Sequence, residues 1–289
     1  MAPWWQERIV GFDLETTHAD PEKARILSAA VVRAGGGLDT ETGYWLANPG
    51  VPIPESATKL NGITDHMIRE DGRPTVLVLG AILEALLPCL DYGWALAGFN
   101  MRYDLTVLDR ECRRFDLTPL QEQGDLYVVD GYVVDKHLYR YRPGKRKLAD
   151  VCAYYRARLD DAHAAVFDAL ASARLAYALG KRGQVIRREP WSESEAMELR
   201  ELREEWARIK DDLPALYEAE RRWAYGQAIS LQEHFVREGK RDYVPRSWPV
   251  VPVGGVDDPF PDGYGDGVGP VARNQLALDG ALMGLDGFW

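Results

Sequence analysis

Cysteine is scarce in this chain: Cys89, Cys112 and Cys152 stand far apart, and no C-x-x-C pair occurs. That spacing argues against a disulfide framework or a zinc site and favours a reducing, cytoplasmic setting. Also missing is any uninterrupted apolar run long enough to span a bilayer, so no membrane association is expected. The opening residues, MAPWWQERIV, lack a basic segment followed by an apolar one, which speaks against a secretory signal. Positive charge is in deficit, with 35 Lys and Arg against 45 Asp and Glu and a net charge of −10. Proteins that grip phosphate backbones usually carry the opposite balance. The deficit does not exclude such a partner, because carboxylates that hold divalent cations count as negative yet present a cationic site once loaded.

What is present is the make-up of an ordinary soluble protein, 46% hydrophobic and 28% charged over 289 residues, enough for one large or two modest domains. Residues 8–15, 26–36 and 41–50 read as three strands joined by short turns, a pattern that suggests an antiparallel meander. A Pro-rich loop follows, and then VLVLGAILEALLPCL (76–90) is apolar at helical spacing. WALAGFN (94–100) reads as a buried strand, MRYDLTVLDRECRRF (101–115) as an amphipathic helix and LYVVDGYVV (126–134) as a further strand. LADVCAYYRARL and AAVFDALASARLAYALG read as helices, the second ended by Gly180. A meander followed by alternating strands and helices predicts an α/β domain over 1–182. Residues 183–253 form a helical extension, in which Ser192 and Glu195 suit a capping box and Pro214 should split the helix in two. From 254 to 289 the chain turns Gly- and Pro-rich and reads as a flexible linker and tail. There is no internal repeat.

The chemistry is concentrated in a few acids. In IVGFDLETT, Asp13 and Glu15 are two apart on one strand, so they share a face. Alone, such a pair is a common strand end. In AGFNMRYDLTVL, Asp104 follows a strand ending at Asn100 and sits in the first turn of the next helix, where an acid also favours the helix dipole. In DDAHAAVFDALASARL, His163 precedes a helix and could simply cap it, while Asp168 lies inside that helix among Ala165, Val166, Ala169 and Leu170. A buried carboxylate is costly unless something positive neutralises it. Taken together, four acids at strand ends and helix starts call for a shared explanation.

The order D-x-E, N-x-x-x-D, H-x-x-x-x-D resembles the three motifs of the DEDD exonuclease superfamily in its histidine-bearing branch, of the proofreading-subunit type. KLNGITDHMI (59–68) and KLADVCAYY (147–155) support the likeness, which runs over about 5–180. The resemblance implies a ribonuclease H-like fold, a mixed five-stranded sheet flanked by helices. It also implies metal-dependent 3′–5′ hydrolysis of DNA ends, with RNA the alternative substrate within the same branch. A non-catalytic nucleic-acid-binding adaptor is the rival from another class, and the complete set of five residues argues against it. It implies two divalent cations, Mg²⁺ or Mn²⁺, which favour carboxylate oxygen. By the same resemblance Asp13 bridges both metals, Glu15 and Asp168 help hold the water-side ion, Asp104 steadies the other, and His163 is the general base. Where the family often has glycine after the paired threonines, this chain has His18.

Leu14, Thr16, Phe99 and Asn100 flank these acids and are candidates to meet the terminal nucleotide, although Leu14 and Phe99 suit core packing as well. The basic stretch RYRPGKRKL (140–148), with Arg146 among its cations and Tyr139 and Tyr141 interleaved, suits either a solvated loop or a phosphate-tracking one. The helical extension suits docking on the domain or on a partner. In the tail, Gln275 to Leu278 resembles a sliding-clamp-binding pentapeptide with Asp279 in place of its usual last residue, so a polymerase subunit or clamp is a candidate partner.

Overall fold

A computed structural model describes residues 2–140, 142, 144–160, 164–181 and 193–254. At its centre β1 (Arg8–Thr16) is buried along most of its length, with Ile9, Val10, Phe12 and Leu14 all inside. β2 (Ile26–Gly35) and β3 (Glu41–Asn48) pair beside it as an antiparallel meander. On the other side β5 (Ala95–Gly98) and β6 (Val128–Asp130) run parallel to it, so a mixed sheet forms in the order β4-β3-β2-β1-β5-β6. The sixth strand, β4 (Arg73–Pro74), is two residues long and pairs at the β3 edge. Five strands were expected; a dipeptide strand carries no periodicity by which to foresee it.

Two stretches between the meander and the first long helix fold as α1 (Glu55–Asn61) and α2 (Asp65–Asp71), the second capped by Thr64, whose side chain accepts the N–H of Met67. The remaining helices of the α/β part are α3 (Thr75–Asp91), α4 (Met101–Arg114), α5 (Gly131–Leu138), α6 (Leu148–Tyr155) and α7 (Ala165–Lys181). The strand expected over 126–134 is corrected to the three residues of β6. Asp130 accepts the N–H of Tyr132 and caps α5, so the apolar residues Val133 and Val134 are buried on a helix rather than a strand. α6 stops at Arg156, which takes a left-handed conformation (φ 56°). Gly180 lies inside α7 instead of ending it. An added Cβ there would sit 2.5 Å from Trp5, so the glycine admits that ring.

α7 lies across β1 and β2, and its contact face is small: Ala165, Ala169, Ala173 and Ala176 are buried. Across from them stands Gly11, where an added Cβ would be 2.0 Å from the carbonyl oxygen of Ala169. Strand and helix therefore approach more closely than any residue with a side chain at position 11 would permit.

Beyond it come α8 (Glu193–Ile209) and α9 (Leu213–Arg237). Pro214 divides them as expected, sitting in the first turn of α9 behind Asp212, which accepts the N–H of Ala215. α9 packs on α5 and β6. Trp206, Leu213, Leu216 and Trp223 join the same cluster of buried residues as the sheet, so the extension completes the core of the α/β part. None of the helices among the described residues is long and apolar enough to cross a membrane. The capping pair Ser192 and Glu195, Tyr141, His163 and the 275–279 peptide lie outside what is described, residue or side chain.

Candidate active site

Three elements bring the expected acids to one end of the sheet. β1 presents Asp13 and Glu15, both half-buried, on one face at its C-terminal end. The ladder with β2 slips between Glu15 and Thr16, so regular pairing ends just after the second acid. β5 runs beside β1 and turns directly into α4, which carries Asp104 in its first turn. That acid is buried, and its Oδ1 accepts the N–H of Leu14 at 3.2 Å. The close packing at Gly11 sets α7 over β1, and Asp168 is in the first turn of that helix, half-buried as expected.

The four carboxylates act on one another strongly. Burial holds the Asp13 carboxyl well above the usual carboxylate range, and the charges of Asp104, Glu15 and Asp168 push it further in the same direction. Burial, then Asp168, raises Glu15 to about 7 against an opposing hydrogen bond from Asn61. Asp104 is raised by burial first and by Glu15, against the Leu14 N–H that favours its charged form. The charged groups that act on Asp13 among the described residues are Asp104, Glu15 and Asp168, all acidic. Among the described residues, no three His, Cys, Asp or Glu side chains converge to metal-holding distance as placed. Their chemistry nevertheless fits a divalent ion: a sequestered set of hard oxygen donors whose mutual repulsion a bound cation would relieve without protonating them.

Of the residues expected to meet substrate, Thr16 and Asn100 stand at the rim. Asn100 is exposed and holds a left-handed conformation (φ 66°) at the turn from β5 to α4. The Thr16 hydroxyl is hydrogen-bonded to that of Tyr103, which also donates to the carbonyl of His18. His18 itself is exposed, with its Nδ1 2.9 Å from the Thr17 hydroxyl. Leu14 is buried in the core. Phe99 is half-buried against the core and meets Tyr132 edge-on, their ring centroids 5.7 Å apart. Arg146 is turned inward: its Nε lies 3.0 Å from Oδ2 of the buried Asp135, which Arg142 shares at 3.2 Å. Two of the five cations in that stretch thus hold the loop together, and the expected phosphate contact by Arg146 would have to compete with this pairing.

Several residues around the site were not singled out from the sequence. Asn61, from α1, contacts Glu15 and lies 3.5 Å from the Thr16 carbonyl. Asp130, at the end of β6, accepts the N–H groups of Asn100 and Met101 at 2.9 Å each. The signal for Asp130 was an acid followed by glycine inside an apolar run, which marks a cap as readily as a strand interior.

Residues 10–176 match the model of the RNase T-type exonuclease family. The chain belongs to this exonuclease family. Within this exonuclease-family chain, 169 residues are 26% identical to the PolC-type DNA polymerase III of Caldanaerobacter subterraneus subsp. tengcongensis, covering 57% of the chain and 11% of that protein. A stretch of 67 residues is 45% identical to the DNA polymerase III epsilon subunit of Aquifex aeolicus, covering 23% of the chain and 32% of the subunit. The matched region is therefore a minor part of these relatives' own length. In fold the exonuclease-family chain resembles E. coli exonuclease I in complex with a dA16 oligonucleotide, with a TM-score of 0.53 and 20% identity over 61% of the chain and 41% of that protein. Family membership implies dependence on a divalent metal. α8 and α9 lie beyond the family match.

Proposed function

We propose that this chain is a 3′–5′ exonuclease acting on single-stranded or frayed DNA ends and releasing nucleoside monophosphates. The observation that carries this reading is the gathering of Asp13, Glu15, Asp104 and Asp168, from three elements, at one end of a sheet inside an exonuclease-family domain. These four carboxylates would hold the divalent ions, Mg²⁺ or Mn²⁺. When bound, such ions supply Lewis-acid activation of water and charge neutralisation at the leaving oxygen.

The protein's own part is positioning and proton handling. Asp104, tied to the Leu14 N–H, fixes its helix against the strand between the two other acids. His163, whose ordinary pKa is about 6.5, takes the proton of the attacking water at neutral pH. Thr16 and Asn100, at the rim, receive the terminal nucleotide, with Phe99 and Tyr132 as the neighbouring aromatic wall. The likeness to polymerase III components and to a DNA-bound exonuclease I favours DNA over RNA and suits a proofreading or repair role beside a polymerase.

Matched DNA and RNA oligonucleotides labelled at their 5′ ends, incubated with Mg²⁺ or Mn²⁺, test the proposal. DNA shortened stepwise from its 3′ end, with activity lost in Asp13→Ala and in His163→Ala, is expected. Faster digestion of RNA would move the substrate, and undiminished activity in both variants would remove the assignment.

A further inference from the structure

The described chain beyond α9 runs back across α4. Arg102 donates from Nη1 to the carbonyl of Pro245 at 3.0 Å, Thr106 accepts the N–H of Val251 at 3.0 Å, and Arg110 donates to the carbonyl of Val251 at 2.9 Å. These three side chains are four residues apart, so they form one stripe along the helix that carries Asp104. In the middle of this strap, the indole Nε1 of Trp248 is 3.4 Å from Oδ2 of Asp130. From below, the buried Glu220 of α9 accepts the N–H of Asp130 at 2.8 Å.

Asp130 is where these contacts meet. Its Oδ1 accepts from Asn100 and Tyr132, and its Oδ2 accepts from Met101 and Trp248. Two consecutive N–H groups at the N-terminus of α4 are thus held by one buried carboxylate, in the turn where Asn100 takes its left-handed conformation. Those N–H groups have no intrahelical acceptor and need an outside partner. The partner is a buried side chain braced by two residues from outside the region that matches the family, which ends at 176.

We propose that Asp130 is a positioning residue for Asp104, and that α9 and the strap, through Glu220 and Trp248, form part of the scaffold that presents Asp104 to the divalent ion. The helix N-terminus is pinned three residues before Asp104, and the helix flank is pinned on both sides of it, at 102 and at 106. A shift of that turn moves the Asp104 carboxylate relative to Asp13 without touching either. Supporting groups of this kind commonly change metal affinity or activity by about 10–100-fold.

The inference rests on the exonuclease reading, and its test separates the two. Mn²⁺ binding to the full-length protein is measured by calorimetry, alongside kcat, KM and thermal melting, for Asp130→Asn, Glu220→Leu, Glu220→Gln and Trp248→Phe. Asp130→Asn and Glu220→Leu are expected to weaken Mn²⁺ binding about tenfold and lower kcat similarly, with KM changed less than about twofold. Trp248→Phe moves both in the same direction by about two- to threefold, as the loss of one long hydrogen bond would. Glu220→Gln restores wild-type values, because a carboxamide oxygen still accepts from the Asp130 N–H. Should Asp130→Asn fail to fold, Trp248→Phe and the Glu220 pair carry the test. Lowered melting with Mn²⁺ binding and kcat at wild-type values in all folded variants would overturn it. An inactive wild-type protein would instead remove the exonuclease reading, leaving the Mn²⁺ affinities to decide the inference.

Discussion

The Oδ1 of Asp104 accepts the backbone N–H of Leu14 at 3.2 Å, which ties a helix-borne acid to the strand residue between Asp13 and Glu15. One hydrogen bond between residues 90 apart in sequence thereby sets the spacing of the helix acid from the two strand acids. It also favours the charged form of Asp104 against the burial and like charges that oppose it.

The same site should make the metal-free protein sensitive to pH. Glu15 is raised in the folded state from 4.5 to about 7, so the folded protein binds a proton more tightly than the unfolded chain does. Its contribution to stability is present below pH 4.5 and is lost as pH rises through about 7. With EDTA present, the melting temperature is expected to fall across this window, in the same direction as the raised Asp13 and Asp104 act. Mg²⁺ should restore more stability at the alkaline end than at the acid end. A pH-independent melting temperature would contradict this.

At Gly11 the expectation is steric. A methyl group there meets the Ala169 carbonyl at 2.0 Å, and backbone must move to accept it. Gly11→Ala should cost about 1–3 kcal/mol by urea denaturation. It should also lower kcat in molecules that remain folded, because α7 carries Asp168 away from β1.

Leu216 tests whether the helical extension is a separate unit. It is fully buried in the cluster that includes the sheet. Leu216→Ala is expected to cost about 2–5 kcal/mol and to shift a single unfolding transition. Two resolved transitions, only one of them moved, would show an independently folding extension.

Tyr103→Phe removes the hydroxyl bonded to both the Thr16 hydroxyl and the His18 carbonyl, leaving the direct bond from the Thr16 hydroxyl to that carbonyl at 3.2 Å. A stability loss of about 0.5–1.5 kcal/mol is expected. KM for an oligonucleotide should rise with kcat little changed, since the rim turn and not the acids would be loosened.

How much of this was legible in the sequence depends on what each feature needs. Asp13 and Glu15 could be paired from strand periodicity alone, and the small face of α7 was visible as AAVFDALASA. The meander, the β5–α4 turn and the break at Pro214 follow from local signals of the same kind. β4 was not legible, because two residues show no pattern. Val128 to Val134 reads as one apolar run, yet Asp130 closes the strand and caps the next helix, a choice made by the N–H groups it meets. The role of Arg146 was open because its partner, Asp135, is buried, and burial of an acid cannot be read from the basic loop. Glu220 and Trp248 reach Asp130 from 90 and 118 residues away, and nothing local announces such contacts.

The four gathered carboxylates are proposed to form a metal-dependent 3′-end nuclease site. Its most direct test is digestion of a 5′-labelled single-stranded DNA by the wild-type protein and by Asp13→Asn and Asp168→Asn, each shown to be folded, in Mg²⁺. A ladder shortening from the 3′ end is expected for the wild type, with no digestion above background for either variant. Equal digestion by all three proteins, or release of the labelled end first, would contradict it.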